Sequence, residues 1–594
     1  MPQTLHFPLK RLGHHLIYQS IALPLIALLV MITLLITPVG EFPLNDDWIY
    51  AKTVQHLLQT GQYQAHPYLN ATLVVQTYWG ALFCKLFGFS FTTLRMSTLV
   101  LSGLNAWGIA RCGLVMGFPR VLALLCGAVV MTNPLMLGLS YSFMTDIPFL
   151  ALSTLSGLCF LSALRRSSTP LIAWGSVLGV AAFFVRQFGV LVPAAFAITL
   201  AILQIRRQVS RGLAPWLALG IPWVLAGLIY LGYAQNLQSQ TPILESTDNR
   251  LWMVLLDTIR YLPLSFTYLG LFMFPLGVMQ LWQLWQGHIR WHKRQWRLWI
   301  GFYGISLFTF ILPQLLFGLN QAVAHKASTW LQDYSYRMPF FPAGILLNLG
   351  FGNDGFSNLN PYPTVECTYG WWVATFLALG IGGLLFVNAW EQFKVWRYGS
   401  STQTEGSLEQ NPQTLFLWLW VLLVLLALYN PWRVVITDRY ILAAFGPLTL
   451  AMASEIRRFS YRRALKWAVL WASIVLMVGL VLVQDYMAWN HTAAFAQDRL
   501  MMVGRVPAGA IAGVDQLNGW YNSEAHMQRY NTRSWWDLNI GHKGPWVLDD
   551  EYVITSEKNR MGYDVLERIP YFSWAGWHEK TLTILKRSGS DLKH

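Results

Sequence analysis

The sequence predicts an all-α polytopic membrane protein with about 13 transmembrane helices, followed by a small mixed α/β domain. Of its 594 residues, 55% are hydrophobic and only 12% are charged, whereas soluble domains are usually about a quarter charged. Apolar runs such as 21–36 and 415–428 recur until about Val483, and each approaches the ~20 apolar residues that span a bilayer. A soluble chain would have to bury many such helices in one core, which domain size disfavours.

The basic residues support this number of spans and set their orientation. With the spans below, every strong cluster of Lys and Arg falls on one side, which the positive-inside rule makes cytoplasmic. The N-terminus is therefore predicted to be cytoplasmic and the C-terminal segment extracytoplasmic. The predicted spans lie at about 15–38, 93–113, 121–140, 146–164, 170–184, 188–205, 213–233, 263–285, 298–318, 369–390, 414–430, 439–454 and 466–484.

The net charge of +14 is explained by basic residues in the loops that orient the membrane spans, so it does not indicate a nucleic-acid partner. Residues 485–594 carry 12 Lys/Arg and 13 Asp/Glu, so the whole excess of 42 basic over 28 acidic residues lies before them. The five cysteines form no CxxC pair, so neither a disulfide framework nor a metal site is predicted. The sequence also contains no Walker, HExxH, GxSxG or Gly-rich nucleotide motif, so no cofactor is expected.

Two domains are predicted, a transmembrane domain over 1–485 and an extracytoplasmic domain over 486–594. In the first, the outer loop 39–91 is semi-polar, and its apolar stretches are too short to span. They favour helices that lie on the membrane surface. In the second, the runs 552–555 and 581–585 have the composition of strands, which predicts a mixed α/β unit.

Three carboxylates stand at the predicted outer ends of spans. Asp46 and Asp47 follow the first span, and Asp146 opens the fourth. Acidic groups at the edge of the hydrocarbon cost free energy, which favours a functional role for Asp46. The alternative is structural: Asn45 or Asp46 would cap the helix that begins near Trp48, and Asp146 would cap its own span.

Basic residues in outer loops run against the positive-inside trend. Arg186 interrupts a long apolar stretch, and Arg433 and Arg439 lie in a late outer loop. An arginine facing a cavity there would suit a phosphate, whereas the alternatives are a snorkelling anchor at Arg186 and an ion pair with Asp438. The loop 319–368 is rich in aromatic and basic residues. These could contact a sugar and a phosphate, or they could form the aromatic belt that membrane proteins commonly have at the level of the lipid headgroups.

Four motifs, taken in order, resemble the bacterial polyprenyl-phosphate-sugar-dependent glycosyltransferases of the C-type superfamily. The groups in question are glycosyltransferase family 39 (protein O-mannosyltransferase-like), the aminoarabinose transferases and the rhizobial galacturonosyltransferases. The resemblance covers about 15–455. The motifs are Asp46-Asp47 with Tyr50, Leu86-Phe-Gly-Phe-Ser90 leading to Arg95, Thr145-Asp146-Ile-Pro148, and Asp438-Arg439-Tyr440 before Pro447.

The resemblance implies an inverting transfer of a sugar from a polyprenyl-phosphate donor to a lipid, glycan or protein acceptor, on the outer face of a bacterial plasma membrane. It makes Asp46 the general base. The chain departs from the family at Asp47, where Glu is usual, and at His66-Pro-Tyr, where many members have Lys-Pro-Pro. Together with the positions of the charged residues, this predicts Asp46, Asp47 and Asp146 for catalysis, Arg186, Arg439 and Arg433 for the donor phosphate, and Tyr50, His66 and Tyr440 for substrate contact.

Two other classes of function share this composition. A transporter or flippase of lipid-linked sugars would place charges near the bilayer midplane and often has repeated halves, whereas these charges lie at outer loops and no repeat is visible. A membrane scaffold whose tail binds partners predicts no acid-lined cleft. The expected partners are therefore the lipid-linked sugar, its acceptor and membrane lipids, with no nucleic acid and no metal.

Overall fold

The computed structural model describes residues 20–69, 71–209, 212–232, 264–289, 291–319, 368–398, 411–428, 438–458, 462–530 and 546–589. They form a helical body followed by a small sheet, and the chain is a multi-pass membrane protein. Six described helices are long and apolar enough to cross a membrane, or up to eight spans if each of two bent helix pairs counts as one.

The described ranges consist mainly of α-helices. They are α1 (Ala22–Leu35), α2 (Asp47–Thr60), α3 (Val74–Phe87), α4 (Phe91–Val115), α5 (Arg120–Met131), α6 (Pro134–Ser140), α7 (Asp146–Arg166), α8 (Thr169–Phe183), α9 (Leu191–Ile205), α10 (Ala214–Gly232), α11 (Leu264–Phe272), α12 (Phe274–Trp285), α13 (Lys293–Leu319), α14 (Thr368–Tyr398), α15 (Pro412–Leu428), α16 (Leu442–Ile456), α17 (Arg462–Met502) and α18 (Asp515–Tyr530).

The prediction of 13 spans is not shown by the structure. The predicted spans 15–38, 170–184 and 414–430 correspond to α1, α8 and α15, which have 14, 15 and 17 residues. These lengths fall short of the ~20 residues that cross the hydrocarbon at 1.5 Å per residue. By their length and composition, six to eight of the described helices or helix pairs could span a membrane, fewer than the 13 spans that the hydropathy of the sequence predicts.

Two further predicted spans are broken by proline-containing helix starts. Within 121–140, Asn133 caps a new helix whose first residue is Pro134, and α5 and α6 meet at 64°. Within 263–285, Pro275 lies in the first turn of α12, which meets α11 at 83°. Proline cannot donate the backbone hydrogen bond of a helix interior but fits the first turn, so a new helix begins at each site.

The predicted cytoplasmic turns converge at one end of the helical body. Arg120 donates a hydrogen bond of 2.6 Å to the carbonyl of Ser20. Arg165 and Arg457 both donate to carbonyls of the turn 115–117, Arg165 at 2.7 Å. Turns that are far apart in sequence thus meet on one side, as the basic clusters predict.

The opposite end carries the loop 39–91 and the C-terminal segment, which touch each other directly. Lys52 on α2 forms a 3.0 Å ion pair with Glu524 on α18. The rings of Trp48 and Trp546 lie edge to face with centroids 5.0 Å apart. These two segments therefore lie on the same side of the body.

The C-terminal segment is a mixed α/β unit, as predicted. Its described residues include the strands β1 (Ile511–Ala512), β2 (Tyr552–Thr555), β3 (Tyr563–Ser573) and β4 (His578–Arg587), in the order β1-β2-β4-β3. β1 and β2 are parallel, and the other pairs are antiparallel. Because α17 passes residue 485 without ending, the predicted domain boundary falls inside a helix and stays a prediction.

Candidate active site

Four helix ends meet on the side of the C-terminal segment. Asp46 immediately precedes α2, and Asp146 is the first residue of α7. Arg186 precedes a 3-10 turn between α8 and α9, and Arg439 lies in the 3-10 turn 438–441 before α16. Each side chain stands where a helix begins or ends, so its backbone is held by the helix that adjoins it.

The two carboxylates and the two guanidinium groups form one alternating cluster. Nη2 of Arg439 lies 3.7 Å from Oδ2 of Asp46, and its Nη1 lies 3.8 Å from Oδ2 of Asp146. Oδ1 of Asp146 is paired with Nη1 of Arg186. Arg439 therefore bridges two acids that are 100 positions apart in the sequence, and the structure brings together four of the residues predicted for the site.

Two aromatic rings complete one wall of the cluster. The guanidinium of Arg186 lies 4.9 Å from the ring centroid of Tyr440, and that of Arg439 lies 5.4 Å from it. Phe188 stacks on Tyr440 with centroids 6.3 Å apart. Such cation–π contacts hold the two cations in place without neutralising them.

A small cavity adjoins the cluster, with charged groups on one part of its lining and apolar groups on the rest. Oδ2 of Asp146 is buried, and it makes no hydrogen bond to any part of the chain that the structure describes. A buried carboxylate oxygen without a donor costs free energy unless a ligand supplies one. The lining residues are Asp146, Phe149, Leu150, Arg186, Phe188, Arg439, Tyr440, Leu442 and Ala443.

Asp46 stands at the N-cap position of α2 but its side chain makes no capping hydrogen bond. The capping alternative for Asp46 therefore does not describe its placement, since its carboxylate points to Arg439 instead. Its side chain is 36% exposed, the most open of the four charged groups. A carboxylate that is both held by a cation and open to the outside can receive a proton from a bound ligand.

The neighbouring acid, Asp47, is fully buried, and its carboxylate accepts hydrogen bonds from backbone N–H groups. Its Oδ1 accepts 2.7 Å from the N–H of Leu44, and its Oδ2 accepts 3.1 Å from the N–H of Phe143. Asp47 therefore links the start of α2, next to Asp46, to the turn before α7, which begins at Asp146. Burial raises the pKa of Asp47 to about 7, against the lowering effects of Arg95 and the two N–H groups.

The electrostatics of Asp46 differ from those of an ordinary surface acid. Although the side chain is 36% exposed, the protein atoms around it displace part of its water, and this desolvation raises the pKa of the carboxyl above the usual value, while Arg439 lowers it. The nearby Asp146 adds to the rise, because two negative charges in one site repel. A raised pKa makes a carboxylate a better proton acceptor, which suits a general base.

The predicted substrate residues are placed differently from one another. Tyr50 is buried one helical turn after Asp46 and faces the same side of α2. His66 packs edge to face on Trp48 at 5.4 Å, on the opposite face of α2, so the structure does not bring it to the cluster. Burial lowers the pKa of His66 to about 3. Arg433 and residues 320–367 lie outside the described residues.

Two residues contribute to the site without having been predicted for it. Arg95 is fully buried and donates to the carbonyls of Pro38, Gly40 and Phe42, so it fixes the loop before Asp46. In the sequence, Arg95 could have been singled out because it is a lone basic residue near the start of an apolar span. Nothing in the sequence distinguishes Phe188 as a site residue, because it is one of 33 phenylalanines in a largely apolar chain.

In the part of the chain that the structure describes, no group of three or more His, Cys, Asp or Glu side chains could hold a metal ion. The expectation that no metal takes part stays a prediction.

No family model and no curated protein sequence matches the chain. Solved structures do resemble it at low identity. ArnT from Cupriavidus metallidurans bound to undecaprenyl phosphate has a TM-score of 0.38 at 10% identity, over 96% of this chain and 98% of that one. The same protein in the apo state has a TM-score of 0.37 at 12% identity, over 95% and 98% of the two chains.

The arabinosyltransferase EmbB from Mycobacterium smegmatis has a TM-score of 0.33 at 13% identity, over 83% of this chain and 44% of that one. ArnT and EmbB belong to the C-type superfamily that the sequence motifs resemble. With TM-scores below 0.5, these likenesses leave the function to be argued from the site itself.

Proposed function

We propose that the protein is a membrane glycosyltransferase that moves a sugar from a polyprenyl-phosphate donor to a lipid, glycan or protein acceptor. The observation that carries the proposal is the Arg439 bridge between Asp46 and Asp146 beside a cavity. One partly exposed carboxylate can take a proton, and two adjacent cations can hold a phosphate. These are the two tasks of a transfer from a sugar phosphate.

The reaction is a single displacement. An acceptor hydroxyl oxygen attacks the anomeric carbon of the donor, and its proton passes to Asp46. The bond between the anomeric carbon and the phosphate oxygen breaks, and polyprenyl phosphate leaves with the electron pair. Attack opposite the leaving group inverts the anomeric centre.

The arginines suit the leaving phosphate. The contacts of Arg439 with both acids, at 3.7 and 3.8 Å, are longer than the 2.7–2.9 Å or so of charge-assisted hydrogen bonds. A guanidinium carries five N–H donors, so Arg439 retains donors for phosphate oxygens. Charge that develops on the leaving group is then stabilised by groups already in place.

Several finer features belong to the same proposal. Asp146 would bind the acceptor through Oδ2, which accepts no hydrogen bond from the described residues. Tyr440 would line the donor site, and Arg433 would add to the phosphate contacts. The site would face the outside of a bacterial plasma membrane, with 13 spans and a cytoplasmic N-terminus. No metal would be needed, because basic side chains offset the phosphate charge.

The decisive experiment is a transfer assay with protein reconstituted in liposomes. Radiolabelled polyprenyl-phosphate sugars and nucleotide sugars are compared as donors with envelope lipid extracts as acceptors. We expect sugar to move to acceptor only from the polyprenyl-phosphate donor, with release of polyprenyl phosphate. Donor movement between leaflets without any transfer would instead identify a transporter, and binding of nucleotide sugars alone would overturn the proposal.

A further inference from the structure

Three aromatic rings crowd the turn between β3 and β4 and face away from the protein. Phe572, Trp574 and Trp577 contact one another edge to face, with centroids 5.6 to 6.1 Å apart. They are 44%, 41% and 74% exposed. We call residues 572–577 the hairpin tip.

Folding of the sheet does not account for this cluster. Side chains alternate between the two faces of a strand, and in β3 the neighbours Tyr571 and Ser573 are the buried ones. Phe572 and Trp574 therefore lie on the open face. Large exposed apolar patches mark surfaces that meet a partner or a membrane.

The position of the hairpin tip relative to α17 identifies the partner. The backbone N–H of Ala575 donates 3.5 Å to Oδ1 of Asp485, and Arg499 forms a 3.0 Å ion pair with Glu567. From 485 to 499 a helix rises about 21 Å. From 567 to 575 a strand covers about 26 Å. β3 therefore runs back along α17, and the hairpin tip points toward the apolar part of that helix.

Asp485 stands at the end of that apolar part. On α17, large exposed apolar side chains cluster from Trp467 to Val478, as expected of a helix face that meets lipid, whereas beyond Asp485 they are isolated, at Phe495 and Met502. Asp485 lies roughly 10 Å further along the axis. That is the level of the headgroups, where Trp side chains are enriched because their rings are amphipathic.

We propose that the hairpin tip inserts its three rings into the headgroup layer of the bilayer and anchors the C-terminal unit to the membrane surface. The flanking His578, Glu579 and Lys580 carry charges of both signs, so the aromatic rings and not anionic lipid supply the attraction. The anchor holds the sheet, and with it α18, over the end of the helical body where the acid–arginine cluster lies.

The test measures the depth of the hairpin tip in the full-length protein. A nitroxide label is placed by Trp577→Cys, or separately by Trp574→Cys, after replacement of the five native cysteines. The control is Met561→Cys, a fully exposed apolar position just before β3, at the opposite end of the hairpin. All variants are studied in phosphatidylcholine nanodiscs by electron paramagnetic resonance with oxygen and a water-soluble nickel chelate as relaxants.

We expect the ratio of oxygen to nickel collisions to be several-fold higher at 577 and 574 than at 561, because oxygen concentrates in lipid. Equal ratios at all three positions would mean that the hairpin tip is in water and would overturn the proposal. Protection of the tip from both relaxants would mean that protein covers it, which would overturn it equally. Each variant also has to elute as the wild type does, so a misfolded sample is recognised.

Discussion

At the scale of single residues, the central feature is one arginine shared by two acids. Arg439 approaches Asp46 and Asp146 to within 4 Å, while Arg186 takes the far oxygen of Asp146. The four formal charges cancel, so an incoming phosphate must compete with the carboxylates for the guanidinium groups. Asp46 is held less firmly than Asp146, because among the described residues its one ion pair is the 3.7 Å contact with Arg439.

Replacing Asp46 by Asn distinguishes a catalytic role of this residue from a purely structural one. Asn caps a helix about as well as Asp, and the Asp46 side chain makes no capping bond in any case. We therefore expect Asp46→Asn to keep the melting temperature while losing ~10²–10⁴-fold in turnover, the usual contribution of a general base. The matched control is Asp564→Asn on the exposed face of β3, which should leave transfer unchanged. A well-folded Asp46→Asn protein with near-normal transfer would remove the assignment.

The raised pKa of Asp46 also predicts a pH dependence. A general base acts in its ionised form, so kcat/KM should fall as pH drops through a pKa that lies above the usual range of an aspartate. Arg439 lowers that pKa, so Arg439→Gln should move the acid limb of the profile to higher pH as well as weaken donor binding. Arg560→Gln, three residues before β3, should leave the limb in place. An acid limb that Arg439→Gln does not move would show that another group titrates.

At the scale of elements, buried polar side chains set the positions of the helix starts that carry the site. Arg95 on α4 binds three carbonyls of the segment 38–42, and Asp47 binds the N–H of Leu44 and of Phe143. Glu41 in turn accepts from the N–H of Phe91 at the start of α4. These bonds lock the segment between α1 and α2 against the helical body.

Arg95 should therefore matter for stability although it does not touch the acid cluster. Arg95→Met removes the arginine donor from the buried carbonyls of Pro38 and Phe42, and each unsatisfied buried group costs about 1–3 kcal/mol. We expect a lower melting temperature in detergent and slower transfer, because the start of α2 loses its support. Arg111→Met on the exposed face of the same helix should melt as the wild type does. Equal melting of the two variants would contradict this role.

The elements also show what the sequence can and cannot predict. Counting basic clusters assigns each loop to a side, and this suffices to place Asp46, Asp146, Arg186 and Arg439 at one end. It does not reveal that Asn133 and Pro134 start a new helix inside an apolar run, because hydropathy averages over the break. Nor does it separate Asp46 from Asp47, since their different partners come from distant parts of the chain.

At the scale of the whole molecule, the C-terminal unit packs against the helix that begins next to Asp46. α18 meets α2 through the Lys52–Glu524 ion pair and through Gly519, which faces the ring of Trp48, two residues after Asp46. Gly519 lies so close that a Cβ there would stand 2.4 Å from Cε2 of Trp48. No side chain larger than hydrogen fits this approach, so the fit between α18 and α2 influences where Asp46 points.

Gly519→Ala tests this coupling from outside the site. The added methyl collides with the rigid ring of Trp48, and overpacking of this kind typically costs about 1–3 kcal/mol. We expect a lower melting temperature and a fall in kcat, because even ~1 Å of misplacement can cost ~10²-fold in rate. The matched control is Gly220→Ala, also inside a helix, where an added methyl meets nothing within 4 Å. Its expected effect is neutral or slightly stabilising, since Ala favours helix over Gly by ~1 kcal/mol.

A second substitution distinguishes a local clash from general damage. Trp48→Phe removes part of the ring that meets the new methyl, so it should restore kcat in the Gly519→Ala background while lowering stability slightly on its own. The two changes then interact by at least the ~0.5 kcal/mol that marks coupled neighbours in a double-mutant cycle. Additive losses, or a Gly519→Ala protein that behaves like Gly220→Ala, would show that the C-terminal unit does not set the position of Asp46.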